Sequence, residues 1–311
     1  MAGQAYSVNT LGGYGAVPQL TTEIRHQSQP LIRFRQFTDM IDGYGGSKKG
    51  DTFNWDIISN LATTGGTLVE TSTIPRTNFV ITQGTGSITE YGNAVPYTLK
   101  LEKLAQINVN DATRTALRND QVKVLDSAVH AQFDACYIRY TGTATDGGNF
   151  ATAGTATSTL GSQLNKYHTR KMVDYLTKSM LAPPYDGDAY MAIVTVAAHG
   201  GLYSEVEAVM QYTKYPAKGE FGMYYNCRFV KETAILNNAT GTSSLYGQAF
   251  FFGAETVAEA ISVPEEIRFQ PDYVDFGRSP ALAWYALLGF KIMHSANPDN
   301  RIIKYTGSEV N

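Results

Sequence analysis

The side chains of this 311-residue chain best suited to nucleophilic, proton-transfer or metal chemistry are five histidines, His26, His130, His168, His199 and His294, and two cysteines, Cys136 and Cys227. A zinc site or a histidine base held by a partner needs such groups a few residues apart on one helical face or in one short loop. No two of the histidines have that spacing, so each is expected to be structural or solvent-facing. The cysteines stand far apart with no CxxC neighbourhood, which predicts free, buried thiols in a reducing cytoplasm rather than a disulfide framework or a zinc module. The stretch Gly43-Tyr44-Gly45-Gly46-Ser47-Lys48 lacks the Gly-Lys-Ser/Thr ending of a Walker phosphate loop and reads as a flexible turn. No G-x-S-x-G elbow is present. Asp186-Gly187-Asp188 pairs two carboxylates, but Tyr190 holds the fifth position of a calcium-loop pattern and no bidentate glutamate follows, so a turn into the next strand is expected. Asn238-Ala239-Thr240 matches a glycosylation acceptor, an incidental match in a chain without a secretory signal. The sequence therefore predicts no catalytic residue, no cofactor and no metal, which favours a structural protein over an enzyme.

Composition bounds the remaining readings. Apolar residues make 43%, charged residues 17% and the formal net charge is -3, which describes a globular chain with a sizeable core and no large basic face for gripping nucleic acid. The first residues lack the basic start and apolar run of a signal peptide, and no stretch of about 20 apolar residues occurs, so neither export by that route nor a membrane span is expected. Tyrosine is abundant, 20 against 2 tryptophans, alongside 29 glycines and runs of threonine. Tyrosine and threonine favour strands, and tyrosine also favours interfaces, so β-rich structure and self-association are expected.

The elements follow from periodicity. The first forty residues, broken by Gly12, Gly13, Gly15 and Pro18, read as an arm that ends in the mixed apolar and basic stretch Leu31 to Phe37. From Gly50 to Leu104 the pattern is a long hairpin: Phe53, Trp55 and Ile57 alternate with polar residues, as do Tyr97, Leu99 and Leu101, so these flanks are expected to pair. Between them Phe79-Val80-Ile81, Gly84 and Gly86 make a β-like tip with little anchorage of its own, which a neighbouring subunit would steady. Asn110-Asp111 is expected to cap a long amphipathic helix carrying Leu117, Val124, Leu125, Ala128, Val129, Gln132, Phe133, Cys136 and Tyr137 and ending by Tyr140. Thr141 to Gln163 reads as a surface loop or short β-hairpin. A second helix carries Met172, Val173, Leu176 and Met180 before Pro183-Pro184, with Lys166, Arg170, Lys171 and Lys178 on a solvated face. Tyr190 to Val196 reads as a buried strand, with helical spacing from Leu202 to Met210. Arg228 to Ile235, Gln248 to Phe252 and Trp284 to Met293 are further strands, which makes the chain α+β.

This order resembles the HK-ninety-seven-like capsid fold of tailed phages, and the resemblance covers nearly the whole chain. Its more specific marks are Ile88-Thr89-Glu90-Tyr91-Gly92 leading by a strand towards Asn110-Asp111, then Glu220 to Val230, and Tyr246 to Ala254 ending Phe252-Gly253-Ala254. Similar branches carry a Glu-Gly pair in the extended loop, where Glu70 here precedes Thr71. The resemblance implies an N-terminal arm over 1–44, an extended β-hairpin loop with flanking strands over 45–104, and a peripheral domain with the spine helix over 105–185. It places an axial domain over 186–269 and C-terminal strands returning to the peripheral domain over 270–311. It implies a major capsid protein that self-assembles as hexamers and pentamers into an icosahedral virion shell around double-stranded DNA, in the cytoplasm of a bacterial host. Implied partners are further copies of itself, a separate scaffolding protein, a portal, a decoration protein, and packaged DNA on the inner face without sequence specificity; no membrane partner is implied. The residues expected at contacts between subunits are Arg33, Phe34 and Arg35 in the arm and Phe53, Trp55, Phe79 and Ile81 in the loop. Some capsids of this fold join lysine to asparagine, but no matching triplet with a carboxylate is found here. An encapsulin-like compartment shell and a β-rich adhesin or glycan-binding module are the alternative readings.

Overall fold

The apolar periodicity resolves into strands and helices in the computed structural model, which describes residues 33–41, 50–59, 61, 65–71, 73–74, 76–105, 108–154, 162–196, 198, 202, 220–233, 246–270, 279–294 and 300–308. The expected arm before residue 33, the turn at 43–48, most of the helix expected from Leu202, the Asn238 motif, His26 and His199 lie outside the described residues.

Three α-helices are described from end to end: α1 (Leu99–Leu104), α2 (Val109–Asp134) and α3 (Lys166–Lys178). Helix α2 is the expected long helix. It buries Leu117, Leu125, Val129 and Phe133 at intervals of four residues or twice four, a stripe that a 3.6-residue period keeps on one face. Its cap is Asn108 rather than Asn110-Asp111: the Asn108 Oδ1 accepts the Asp111 N–H at 3.3 Å, while Asn110 accepts the Tyr97 hydroxyl at 2.6 Å. Asn165 caps α3 in the same way, accepting the His168 N–H at 3.0 Å, and α3 ends before the two prolines, as expected.

The strands are β1 (Thr38–Met40), β2 (Thr52–Ile58), β3 (Ile81–Ser87), β4 (Thr89–Pro96), β5 (Ile138–Ala144), β6 (Gly147–Ala151), β7 (Tyr190–Thr195), β8 (Glu220–Tyr224), β9 (Cys227–Glu232), β10 (Tyr246–Phe252), β11 (Val257–Gln270), β12 (Ala281–Ile292) and β13 (Ile302–Ser308). They form a seven-stranded sheet in the order β6-β5-β13-β10-β7-β9-β8, a four-stranded sheet β1-β11-β12-β4 and a two-stranded ribbon β2-β3. Strand β11 pairs with the next strand, β12, whereas β13 pairs with β10 and, in parallel, with β5 of the 105–185 block. The β13 pairings join residues far apart in the chain, and periodicity marks a strand without marking its partner.

Two cores lie on opposite faces of the larger sheet. Along β10, Phe250 and Phe252 enter a core with α2, whereas Ala249 and Phe251 enter a second core with α3, as the two-residue strand period requires. Strand β7 is buried at every position because it lies between both cores, which is why Tyr190 to Thr195 reads as an unbroken apolar run. On the four-stranded sheet, Leu282, Trp284, Ala286, Leu288, Phe290 and Ile292 of β12 all face α2. The Trp284 Nε1–H donates to Asp120 Oδ2 at 2.9 Å, giving this buried indole its polar partner on the helix.

One expectation fails outright. Strand β2 pairs with β3, not with the stretch from Tyr97 to Leu101, and residues 99–104 form helix α1 instead. Thr98 caps α1, its Oγ1 accepting the Leu101 N–H at 3.2 Å, and this cap competes successfully with the alternation that suggests a strand.

Candidate assembly surface

The ribbon leaves the molecule from a built root. Register sets Phe53 opposite Gly86 and Trp55 opposite Gly84, so each aromatic ring lies across a glycine on the partner strand. A Cβ at Gly86 would stand 2.3 Å from Phe53 Cζ, and one at Gly289 of β12 would stand 2.6 Å from Phe53 Cε1. Only glycine leaves room for the ring at both places. Phe53 is 0% exposed and packs on Ala258 and Ala260, with Ile41, Trp55, Ile88 and Met293 around it. Beyond the root the ribbon is held by its ladder and by few side-chain bonds, among them Gln83 Nε2 to Asp56 Oδ1 at 3.2 Å. It carries Ile58, Leu68, Val69, Ile74, Phe79 and Val80 more than half exposed.

The described start of the arm is held as firmly. Residues Arg35–Phe37 form a 3-10 turn, and the Arg35 backbone N–H donates to Asp126 Oδ1 on α2 at 2.9 Å. Burial, opposed by the Arg35 N–H bond and aided by the nearby Glu232 charge, leaves the Asp126 pKa raised to about 6. The Arg35 guanidinium bonds Glu259 through Nη2 at 2.7 Å and Nε at 3.1 Å and pairs with Glu265 through Nη1. Thr38 Oγ1 donates to the other Glu259 oxygen at 2.5 Å, and β1 then adds in parallel to β11.

The residues expected at subunit contacts therefore separate into two groups. Phe34 is 0% exposed, wedged among His130, Phe133 and Phe250, and Phe53 is equally enclosed, so both side chains are committed within the chain. An aromatic in a mixed basic or alternating stretch fits a core as well as a contact, and in the single chain the core takes both. Arg35 also serves an internal ion pair, and Arg33 and Trp55 are half-buried. Phe79 and Ile81 stay open to a neighbour, at 56% and 55% exposed.

One buried cluster has the outline of a catalytic group. Ser162 Oγ lies 3.1 Å from His168 Nε2, and the Tyr140 hydroxyl lies 2.9 Å from His168 Nδ1. Burial lowers the His168 pKa to about 4, so the ring is neutral near pH 7, and at 0% exposure it meets no substrate. Its partners tie α3 to β5. The spacing Tyr140, Ser162, His168 contains no recognisable motif, so only the fold reveals it. A cleft of about 590 Å³ between α3 and the β8–β9 turn is lined by Asp174, Lys178, Asp188, Tyr190, Tyr225 and Asn226 among others, and by neither histidine nor cysteine. Both cysteines are free and buried. Among the described residues no group of three or more histidine, cysteine, aspartate or glutamate side chains is placed to hold a metal, and no helix is long and apolar enough to cross a membrane.

In sequence, no protein-family model and no curated protein matches the chain. In structure it is similar to the capsid of Ralstonia phage GP4, with a TM-score of 0.70 at 14% identity over 99% of both chains. It is similar to the cyanophage Pam1 capsid, with a TM-score of 0.69 at 12% identity over 97% of this chain and 98% of that one. The acid-stable capsid of Helicobacter pylori bacteriophage KHP30 gives a TM-score of 0.67 at 14% identity, covering 98% of this chain and 100% of that one. Matched by these structures over nearly its whole length, the chain shares their fold, an α+β fold seen in phage capsids.

Proposed function

We propose that this chain is the major capsid protein of a tailed phage, forming hexamers and pentamers that close into an icosahedral virion shell around double-stranded DNA. The observation that carries the reading is the ribbon, a firmly rooted projection whose Ile58, Leu68, Val69, Ile74, Phe79 and Val80 are exposed in the single chain. An apolar projection of that size is covered by something in a working protein, and a neighbouring subunit is the covering that a shell provides. The four-stranded sheet with α2 serves as the peripheral unit, and the seven-stranded sheet carries the axial unit that meets the symmetry axes. The role is structural rather than catalytic. Assembly takes place in the host cytoplasm with a scaffolding protein and a portal, a decoration protein adds to the finished shell, and packaged DNA meets the inner face without sequence recognition.

Negative-stain microscopy and light scattering of the chain, expressed alone and with a candidate scaffolding protein, test this. Closed shells, hexamers or pentamers are expected. A monomer or dimer that never assembles under either condition overturns the reading.

A further inference from the structure

We infer that the cleft between helix α3 and the β8–β9 turn is a binding site for a neutral saccharide. The inference goes beyond the shell-forming reading and does not depend on it, because one copy of the chain holds the whole cleft. At about 590 Å³ the cleft lies within the range that takes a small-molecule ligand, roughly 300–1,000 Å³. Val173, Pro184 and Tyr190 give it an apolar floor, with the Tyr190 hydroxyl turned to the Ala182 carbonyl at 2.9 Å. Its wall is formed by a strained turn. Tyr225 and Asn226 are the two central residues between β8 and β9, at φ 48° and 55°, a left-handed conformation that asparagine tolerates and a bulky ring rarely adopts. The turn is fixed without the ring, by the pairing of Tyr224 with Cys227 and by the Tyr190 N–H donating to the Asn226 carbonyl at 2.7 Å. What the ring gains there is a position: its hydroxyl donates to Asp174 Oδ1 on α3 at 2.9 Å, and the side chain stays 45% exposed. Backbone strain that the surrounding structure holds in place is a mark of ligand clamps.

The lining selects the chemistry of the ligand. Its carboxylates, Asp174 and Asp188, are offset by Lys178, which lies 3.8 Å from Asp174, and by the Arg170 charge acting on Tyr225, so the cleft has no strong net charge to draw an ion. It has instead donors and acceptors within one small volume. Asp188 and Asn226 form no side-chain bond among the described residues, which leaves a carboxylate to accept and an amide to accept and donate, with Lys178 donating beside them. A hydroxyl both donates and accepts, so a ligand dense in hydroxyls uses all of these groups, whereas an apolar ligand would strip them of water and leave them unpaired. The Tyr225 ring supplies the remaining part. A pyranose carries a face of C–H groups, which packs on the negative face of an aromatic ring while the hydroxyls around its rim meet the polar side chains. Repeated on every copy, a weak site of this kind gives an assembly avidity for a polysaccharide.

Ligand-observed saturation-transfer NMR on the full-length chain tests the site with the neutral trisaccharides maltotriose, cellotriose, mannotriose and chitotriose. Saturable transfer to the ring C–H protons of at least one of them is expected, whether the chain is assembled or not. Tyr225→Gly and Asp188→Asn then locate the binding. Glycine suits the left-handed backbone at 225, and residue 188 is exposed, so both variants are expected to fold with a thermal transition close to that of the parent. Each is expected to weaken the affinity for the bound sugar about tenfold or more. No transfer to any of these sugars overturns the inference. Undiminished affinity in Tyr225→Gly also overturns it, because the sugar then sits elsewhere, and so does displacement of the sugar by spermidine or inorganic phosphate, which marks an ion site. None of these outcomes bears on particle formation, whose failure is read by microscopy and is the failure of the shell reading alone.

Discussion

At Asp126 two demands conflict, and the balance sets a pH dependence. The carboxylate is 1% exposed on α2, holds the arm root through the Arg35 backbone N–H, and leaves its second oxygen without a partner in the interior. Burial outweighs the hydrogen bond, so the folded-state pKa rises from 3.8 to about 6. The folded chain then binds the proton more tightly than the unfolded chain. Stability therefore falls as pH rises from about 4 to about 6 and is level above that, by roughly 3 kcal/mol in all. Asp126→Asn keeps an oxygen for the Arg35 N–H and carries no buried charge at any pH. It is expected to flatten that slope and to raise the denaturation midpoint at pH 8, measured by urea unfolding between pH 4 and pH 8; an unchanged slope would assign the dependence to another group. None of this was legible in sequence. The helical stripe Leu125, Ala128, Val129 marks the core face, but an aspartate beside it reads as solvated, and its burial comes from contact with residues 33–35, distant in the chain.

Element by element, what the sequence revealed was what local chemistry decides. Both long helices and the central strands β7, β9, β10 and β12 were legible because caps, prolines and apolar periods lie within each element. Strand β11 was not: Pro264 and the adjacent glutamates interrupt its pattern, and the register shifts between Ile261 and Glu266 show how the strand accommodates them. The ribbon was half legible. Phe53 and Trp55 announced a strand, but Gly84 and Gly86 read as weakness, whereas their bareness lets the two rings lie across the partner strand. Gly86→Ala tests that interpretation. The added methyl must displace a fully enclosed ring that Gly289 confines from the other side, so a loss of about 1–3 kcal/mol is expected from thermal unfolding. Gly65→Ala, with nothing within 4 Å, is the matched control and is expected to stay within about 0.5 kcal/mol of the parent. Equal effects at the two positions would show that the root is soft.

For the whole molecule, the same apolar side chain has opposite meanings depending on whether the single chain or the shell is the folded unit. Phe79 is 56% exposed and no described core includes it, so its replacement by glutamine leaves the chain's own thermal transition within about 0.5 kcal/mol of the parent. Within a shell the count changes. If the ring is covered by a neighbour, losing that cover costs on the order of 1–2 kcal/mol at each contact, and each 1.4 kcal/mol is tenfold in an association constant. A ring member gives its ribbon to one neighbour and receives another, so two contacts weaken around every subunit, and closure multiplies the effect because later contacts form within an assembling particle. The expected outcome for Phe79→Gln is an unchanged monomer with the concentration needed for particle formation raised about tenfold or more, read by light scattering across a dilution series. A parallel fall in both the thermal transition and assembly would show that Phe79 belongs to the chain's own core. An unchanged assembly threshold would show that the ribbon's exposed side chains are not what joins one copy to the next.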